Sequence, residues 1–366
     1  MADGVTIYDI AELAGVSAST VSRVFSRPDR VSFRTAEKVR AAARQLGYRL
    51  DVETGSSGSA QRATRNLGLV VADITNPFFQ EVFRGAEHAA RQEGMLLTIA
   101  DTHESVRRAK AAVELLMPTV DGLLLASTRL ANGDIQKIAR LIPTVCINRP
   151  VPGVPSVLVN NYEGAIRAAE HLESQGVRSI TYLAGPTDSW ADASRWRGLL
   201  DAVDPHALST DRNMTAVVDP APVPFTRSAP LSPETVARLS RLTVRQQRVE
   251  EPTTVGGRRA FELWRKNPTD AVICFNDLVA IGFLDQARRA GVDVPGDVAV
   301  VGCDNTEVTS LVHPGLTTIA GPLRSMGRVA AANLMAVIRG LKGPSAQPRV
   351  LPTRLIVRAS SLHVRE

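Results

Sequence analysis

The first side chains whose types and spacing could do chemistry are hydroxyls and a guanidinium. Ser17, Ala18, Ser19, Thr20, Ser22 and Arg23 make a run of short or polar residues. Short side chains let a helix enter the major groove, hydroxyls can bond phosphate oxygens, and a guanidinium fork matches the edge of guanine. That is the chemistry of reading duplex DNA, although the same residues would also suit the solvated face of a scaffold helix. A second set follows apolar runs further on: Asp73-Ile74-Thr75-Asn76-Pro77-Phe78-Phe79, Asn148-Arg149-Pro150, Asn160-Asn161-Tyr162, Asn276-Asp277 and Asp304-Asn305. If those runs are parallel strands, these residues sit at their carboxyl ends, where doubly wound sheets bind ligands. An aromatic pair beside Asp and Asn suits a polar ring with an apolar face, such as a sugar. Each Asn or Asp could equally cap the next helix; five together favour a cleft.

The elements that must hold the first set are short helices. Thr6-Ile7-Tyr8-Asp9 fits a capping box, with Thr6 accepting from orphan amides and Asp9 reaching back. Ile10, Ala11 and Leu13 supply an apolar face, and Gly15 breaks the pattern at a residue free to take positive φ. Ser17 can cap a second helix, 18–25, with Val21, Val24 and Phe25 inward. Ser32 starts a third, with Val39, Ala42, Ala43 and Leu46 buried and Gly47 as its stop. Two short helices across a glycine turn, braced by a third, form a helix-turn-helix unit. Arg27, Arg30, Arg34, Lys38, Arg40 and Arg44 add positive charge nearby.

From Leu67 onward the period changes. Leu67–Ile74, Leu96–Ala100, Gly122–Ala126, Thr144–Ile147, Val157–Val159, Ile180–Leu183, Ala271–Phe275 and Val298–Gly302 read as buried strands, with helices such as Phe78–Gln92, Glu163–Ser174 and Asp277–Ala290 between them. Alternation of this kind implies right-handed βαβ units and parallel sheets. It runs too far for one sheet, so two α/β lobes are expected.

Composition narrows the class. The 366 residues carry 43 basic and 37 acidic side chains, a net charge of +6 that suits a polyanion without requiring one. The opening residues have no basic and apolar leader, and no apolar run approaches the ~20 residues of a membrane span, so a cytoplasmic protein without membrane contact is expected. Cys146, Cys274 and Cys303 are few, widely spaced and set in apolar runs, which points to buried reduced thiols. No Gly-x-x-x-x-Gly-Lys, Gly-x-Gly-x-x-Gly, His-Glu-x-x-His or Gly-x-Ser-x-Gly motif is present, which argues against an α/β enzyme, and no cofactor is implied. The histidines are scattered, with His88, His103 and His171 expected on helical surfaces.

The stretch Ile7 to Val24, followed by Val31-Ser32, Thr35, Lys38-Val39 and Leu46-Gly47-Tyr48, resembles the head of the LacI/GalR family of bacterial repressors. Further landmarks are Asn76-Pro77-Phe78-Phe79, Val120-Asp121-Gly122, Asn161-Tyr162-Glu163-Gly164, Arg195-Trp196-Arg197-Gly198, Phe275-Asn276-Asp277 and Val301-Gly302-Cys303-Asp304-Asn305. The resemblance implies a small all-α helix-turn-helix domain, then a two-lobed α/β domain similar to periplasmic sugar-binding proteins, with parallel doubly wound sheets. It implies base reading by Ala18, Ser19 and Arg23, and phosphate contacts at or near Thr6, Ser17, Thr20 and Ser22. Effector contacts would come from Phe78, Phe79, Trp190, Arg195, Asn276, Asp277 and Asp304, with Trp190 equally open to a core role. The implied protein is a homodimeric repressor on a pseudo-palindromic operator, controlled by a small carbohydrate.

Expected boundaries are 1–50 for the head, 51–66 for a linker and 67–366 for the sensor, whose lobes would be 67–162 plus 322–349 and 163–321 plus 350–366. The linker departs from the family, which places Pro-Asn and an Ala-Arg-x-Leu hinge helix there; this chain has Leu50-Asp51 and then Gly55-Ser56-Ser57-Gly58-Ser59. That leaves room for an effector-independent DNA binder with a vestigial sensor. A solute-binding protein is the other alternative, opposed by the head. Between Pro205 and Glu251 the chain also runs longer than the family pattern: proline-rich Asp219–Pro230 precedes Leu231–Arg248, read as a basic helix on a surface insertion. The last residues lack apolar heptads, so no C-terminal coiled coil is expected.

Overall fold

The computed structural model describes residues 6–26, 31–46, 64–204, 230–341 and 347–362. Residues 51–63 of the expected linker, residues 219–229 of the proline-rich stretch, and Arg27, Arg30, Gly47 and Tyr48 lie outside the described residues, as do the side chains of Phe25, Arg40 and Arg44. The chain divides into two compact units, Met1–Arg62 and Ala63–Glu366.

In the first unit, α1 (Ile7–Ala14), α2 (Ala18–Ser26) and α3 (Phe33–Gln45) enclose Ile10, Ala11, Ala14, Val21, Val24, Ala36, Val39, Ala42 and Ala43. Leu13 is 45% exposed and stands outside that core, whose third α1 contact is Ala14. Gly15 takes φ 64°, and the Gly15 and Val16 amides fold back onto the Glu12 and Ala11 carbonyls, which turns the chain sharply into α2. Ser17 starts α2 by accepting from the Thr20 amide at 3.3 Å, and Ser32 does the same for Thr35 at the start of α3.

The second unit contains two six-stranded sheets among the described residues. The first is ordered β11-β5-β4-β3-β1-β2, from β1 (Asn66–Val71), β2 (Leu96–Asp101), β3 (Gly122–Ala126), β4 (Thr144–Ile147), β5 (Ser156–Val159) and β11 (Arg349–Leu351). The second is ordered β12-β10-β9-β8-β6-β7, from β6 (Ser179–Ala184), β7 (Thr243–Arg248), β8 (Ala271–Cys274), β9 (Ala299–Asp304), β10 (Thr317–Ala320) and β12 (Arg354–Ile356). Only β12 runs antiparallel. In each sheet the order reverses beside its first strand, β1 or β6, which opens a crevice at the carboxyl ends. Both faces are covered. In the first lobe α4 (Pro77–Gln92) and α12 (Leu323–Ile338) pack on one side, and α5 (Val106–Leu116) and α6 (Asn132–Leu141) on the other. In the second, α7 (Asn161–Ser174), α8 (Trp190–Val203) and α9 (Pro233–Leu239) oppose α10 (Thr254–Trp264) and α11 (Asp277–Arg289). Each fully buried Leu or Ile in these layers contributes about 1.5–3 kcal/mol.

The chain crosses between lobes three times, at β5 to α7, β10 to α12, and β11 to β12. Asn161 Nδ2 bonds Asn148 Oδ1 at 3.1 Å, and the Thr353 hydroxyl bonds the Asn160 carbonyl, beside these crossings.

Three readings of the sequence need correction. Leu231–Arg248 is not one helix: α9 ends at Leu239, and Thr243–Arg248 pairs with β6 as the outer strand β7. Its arginines are those of an edge strand, which needs only one buried neighbour and tolerates charge on its open side. His103 lies not on a helix but in the turn after β2, at φ 47°. The first strand ends at Val71, not Ile74, because Asp73 folds into a turn that receives the Thr75 amide. Cys146, Cys274 and Cys303 are buried in β4, β8 and β9 and unpaired. Among the described residues no helix is long and apolar enough to cross a membrane.

Candidate functional site

In the head, the caps leave a polar surface on α2. Val21 and Val24 turn into the core, so helical geometry presents Ser19, Ser22 and Arg23 to solvent, with Ser17 exposed and Ala18 and Thr20 half-buried. The Ser17 hydroxyl lies 2.9 Å from both Ser19 Oγ and Thr20 Oγ1, so three hydroxyls cluster at the helix start. Thr6 is exposed at the start of α1; its amide and hydroxyl donate to Asp9 Oδ2 at 2.6 and 2.7 Å, which holds the Asp9 carboxyl below its ordinary range.

In the second unit, the strand ends of both sheets face one cleft, with about 450 Å³ of space free of protein atoms, part of it open to solvent. The first lobe supplies Asp73, Asn76, Phe78, Phe79, Glu104, Ser127, Arg129 and Asn148; the second supplies Ser189, Arg195, Phe275, Asn276 and Asp304 among others. Asn76 caps α4 by accepting from the Phe78 amide, which sets Phe78 and Phe79 edge to face, 4.9 Å between ring centres. Opposite them, Arg195 is 3% exposed; its Nη1 donates to the Phe275 carbonyl at 2.8 Å, and its Nη2 lies 3.9 Å from Asp304 Oδ1. Arg195 Nε is buried with no hydrogen-bond partner within the protein. Burial pushes the Asp304 carboxyl well above its ordinary range, against the pull of Arg195.

Backbone strain collects at this cleft. Glu104, Ser127, Asn148 and Asp304 line it at φ values of 58°, 49°, 58° and 112°. A non-glycine residue held in such a conformation costs about 1–3 kcal/mol, and such residues cluster where a ligand is positioned.

Of the seven residues expected around an effector, Phe78, Phe79, Arg195, Asn276 and Asp304 line this cleft. Asn276 is 1% exposed and occupied locally: it caps α11 through the Val279 amide and donates to the Pro252 carbonyl. Asp277 is not in the lining; its carboxylate accepts from the Thr306 amide and hydroxyl and the Thr318 hydroxyl, which ties β9, β10 and α11 together behind the cleft. Burial raises it to about 6 despite those bonds. Trp190 opens α8, half-buried and outside the lining, between Ser189 and Ala191 which are in it. Glu104 and Arg129 were missed, although they follow β2 and β3, two strand ends that the parallel-sheet rule also marks. Among the described residues no group of three or more His, Cys, Asp and Glu is placed to hold a metal ion.

Family models cover both units. Residues 6–51 match the bacterial regulatory proteins of the lacI family, 64–221 the periplasmic binding proteins and sugar-binding domain of the LacI family, and 169–361 a periplasmic binding protein-like domain. The HTH-type transcriptional repressor CytR of Escherichia coli K12 is 32% identical over 362 residues, spanning 97% of this chain and 96% of its own. The chain belongs to the LacI family of bacterial regulators. Solved structures agree: the transcriptional regulator CelR in complex with cellobiose superposes at a TM-score of 0.64 with 29% identity, over 97% of this chain and 99% of its own. The lac repressor dimer bound to operator and the anti-inducer ONPF gives 0.64 at 25% identity, over 99% and 100%. Membership of the LacI family makes this a helix-turn-helix transcriptional regulator and not an enzyme.

Proposed function

We propose that this LacI-family regulator is a repressor whose affinity for a pseudo-palindromic operator is set by a small carbohydrate in the cleft. The observation that carries the reading is the placing of two apolar rings, Phe78 and Phe79, on one lobe and of Phe275, Arg195 and Asp304 on the other, across a crevice between the lobes. A sugar offers an apolar face to the rings and hydroxyls to the charged pair. The cellobiose held by CelR supports that ligand class.

The heads of a homodimer would enter successive major grooves, with Ala18, Ser19 and Arg23 on base edges and Thr6, Ser17, Thr20 and Ser22 on phosphates. Effector contact with both lobes would change the angle at the three crossings and so the spacing of the heads. A coupling of about 1–3 kcal/mol changes operator occupancy severalfold to a hundredfold.

Fluorescence anisotropy with duplex DNA from upstream of the chain's own gene, titrated with and without a sugar panel, tests the proposal. One sugar class should shift the binding curve. Specific binding that no sugar moves would favour an effector-independent DNA binder; no preference over random duplex would sink both.

A further inference from the structure

We infer that the cleft takes an uncharged ligand, and that Arg129, clamped between Glu104 and Asp188, is the residue that sets this specificity. The inference deepens the sensor reading and rests on its placing of the ligand. Arg129 is the cation on the first lobe's wall of the cleft, with its side chain 5% exposed. Its Nε lies 2.6 Å from Glu104 Oε2 on its own lobe and 3.5 Å from Asp188 Oδ1 on the opposite lobe. A guanidinium bound on one side and faced by a second carboxylate across the mouth has its charge already answered.

The rest of the lining offers an anion no better hold. Arg195, the other lining cation, faces Asp304. The lining carboxylates are Asp73, Glu104 and Asp304 against the two arginines, so the cleft has no excess positive charge whether or not Asp304 keeps its proton. Helix starts often bind phosphate through free amides, but here several of those amides are taken up by the capping residues. Pro77 has none, and the Phe78 and Phe79 amides both bond Asn76. The Asp192 and Ala193 amides bond Ser189 at the start of α8, and the Val279 and Ala280 amides bond Asn276 at the start of α11. A phosphorylated sugar would carry its charge into a cleft where both lining arginines already face carboxylates; an unphosphorylated one needs only the hydrogen bonds and ring faces.

Thermal unfolding of the full chain tests this, since a ligand that binds only the folded state raises Tm. Inorganic phosphate, compared with chloride at equal ionic strength, should give the wild type only the general stabilisation of a strongly hydrated anion. It should raise the Tm of Glu104→Gln/Asp188→Asn, which uncovers Arg129, by about 2 °C or more beyond that. Asp188→Asn alone, at a side chain 53% exposed, serves if loss of Glu104 prevents folding; it should show a smaller rise of the same sign. Equal gains in wild type and variant, or none in either variant, overturn the inference. In the second arm, D-ribose is paired with D-ribose 5-phosphate and D-glucose with D-glucose 6-phosphate. Stabilisation of wild type by a phosphorylated member alone also overturns it. If phosphate behaves as expected while every uncharged sugar is silent, the charge inference stands and the carbohydrate reading fails.

Discussion

Arg195 donates to the carbonyl oxygen of Phe275 at 2.8 Å and lays its guanidinium over the ring of that same residue, 5.3 Å from the ring centre. One side chain thus fixes both the main chain and the aromatic wall of the second lobe, while facing Asp304. Arg195→Ala would leave a buried carbonyl without its donor and Asp304 without its counter-charge. The expected cost is about 3 kcal/mol, read from urea unfolding of the full chain. Arg195→Lys should recover only part of it, because a point ammonium cannot reach the carbonyl and cover the ring together. A midpoint unchanged in Arg195→Ala would show that the pair contributes nothing.

Gly185 is the floor under that ring. A Cβ at this position would come within 2.4 to 2.6 Å of three Phe275 ring carbons, and the ring cannot yield freely beneath Arg195. Gly185→Ala is expected to cost about 1–3 kcal/mol by overpacking and to abolish any ligand-induced rise in Tm. Gly133→Ala, where a Cβ meets nothing within 4 Å, is the control and should unfold at or slightly above the wild-type temperature.

The head was legible because its signals are local. Thr6, Gly15, Ser17 and Ser32 act within a few residues of themselves, and the turn they specify is the turn observed. The central strands were legible because a strand buried on both faces is a near-continuous apolar run, as in Gly122–Ala126. The outer strand Thr243–Arg248 was not, since only β6 flanks it and its Arg-Gln-Gln-Arg run has no apolar signature. The cleft was half legible. Phe78, Arg195 and Asp304 carry family landmarks, whereas Arg129 and Glu104 meet only because β2 and β3 flank β1 and end at the same edge of the sheet. No local pattern marks Asp277 as a brace, because its partners Thr306 and Thr318 lie on other elements.

That brace has a consequence for pH. Burial raises the folded-state pKa of Asp277 to about 6, from an unfolded value of 3.8. Between those values the folded chain holds the proton more tightly than the unfolded chain, so this carboxyl favours folding below about pH 4 and loses that contribution as pH rises through 6. Asp304, also raised by burial, acts in the same direction. In Asp277→Asn the amide oxygen can still accept from Thr306, and the amide nitrogen can donate to a reoriented Thr318 hydroxyl. The variant should fold, and its stability should fall less steeply than wild type between pH 4 and 6.5 in thermal scans. An identical slope in both proteins would remove Asp277 from the account.

Arg23 stands exposed on α2, one turn beyond the hydroxyl cluster of Ser17, Ser19 and Thr20. Nothing in the head's core depends on it, so Arg23→Ala should leave the helical circular dichroism and Tm unchanged. If Arg23 grips a base edge, its loss should weaken specific binding by about 1–3 kcal/mol and relax preference at one operator position. Non-specific binding and the slope of affinity against salt should change much less than on removal of a phosphate contact. Competition between operator and random duplex, measured at two salt concentrations, separates these outcomes. An unaltered sequence preference would move the reading of bases to another part of the head, and a uniform loss with a shallower salt slope would make Arg23 a backbone contact.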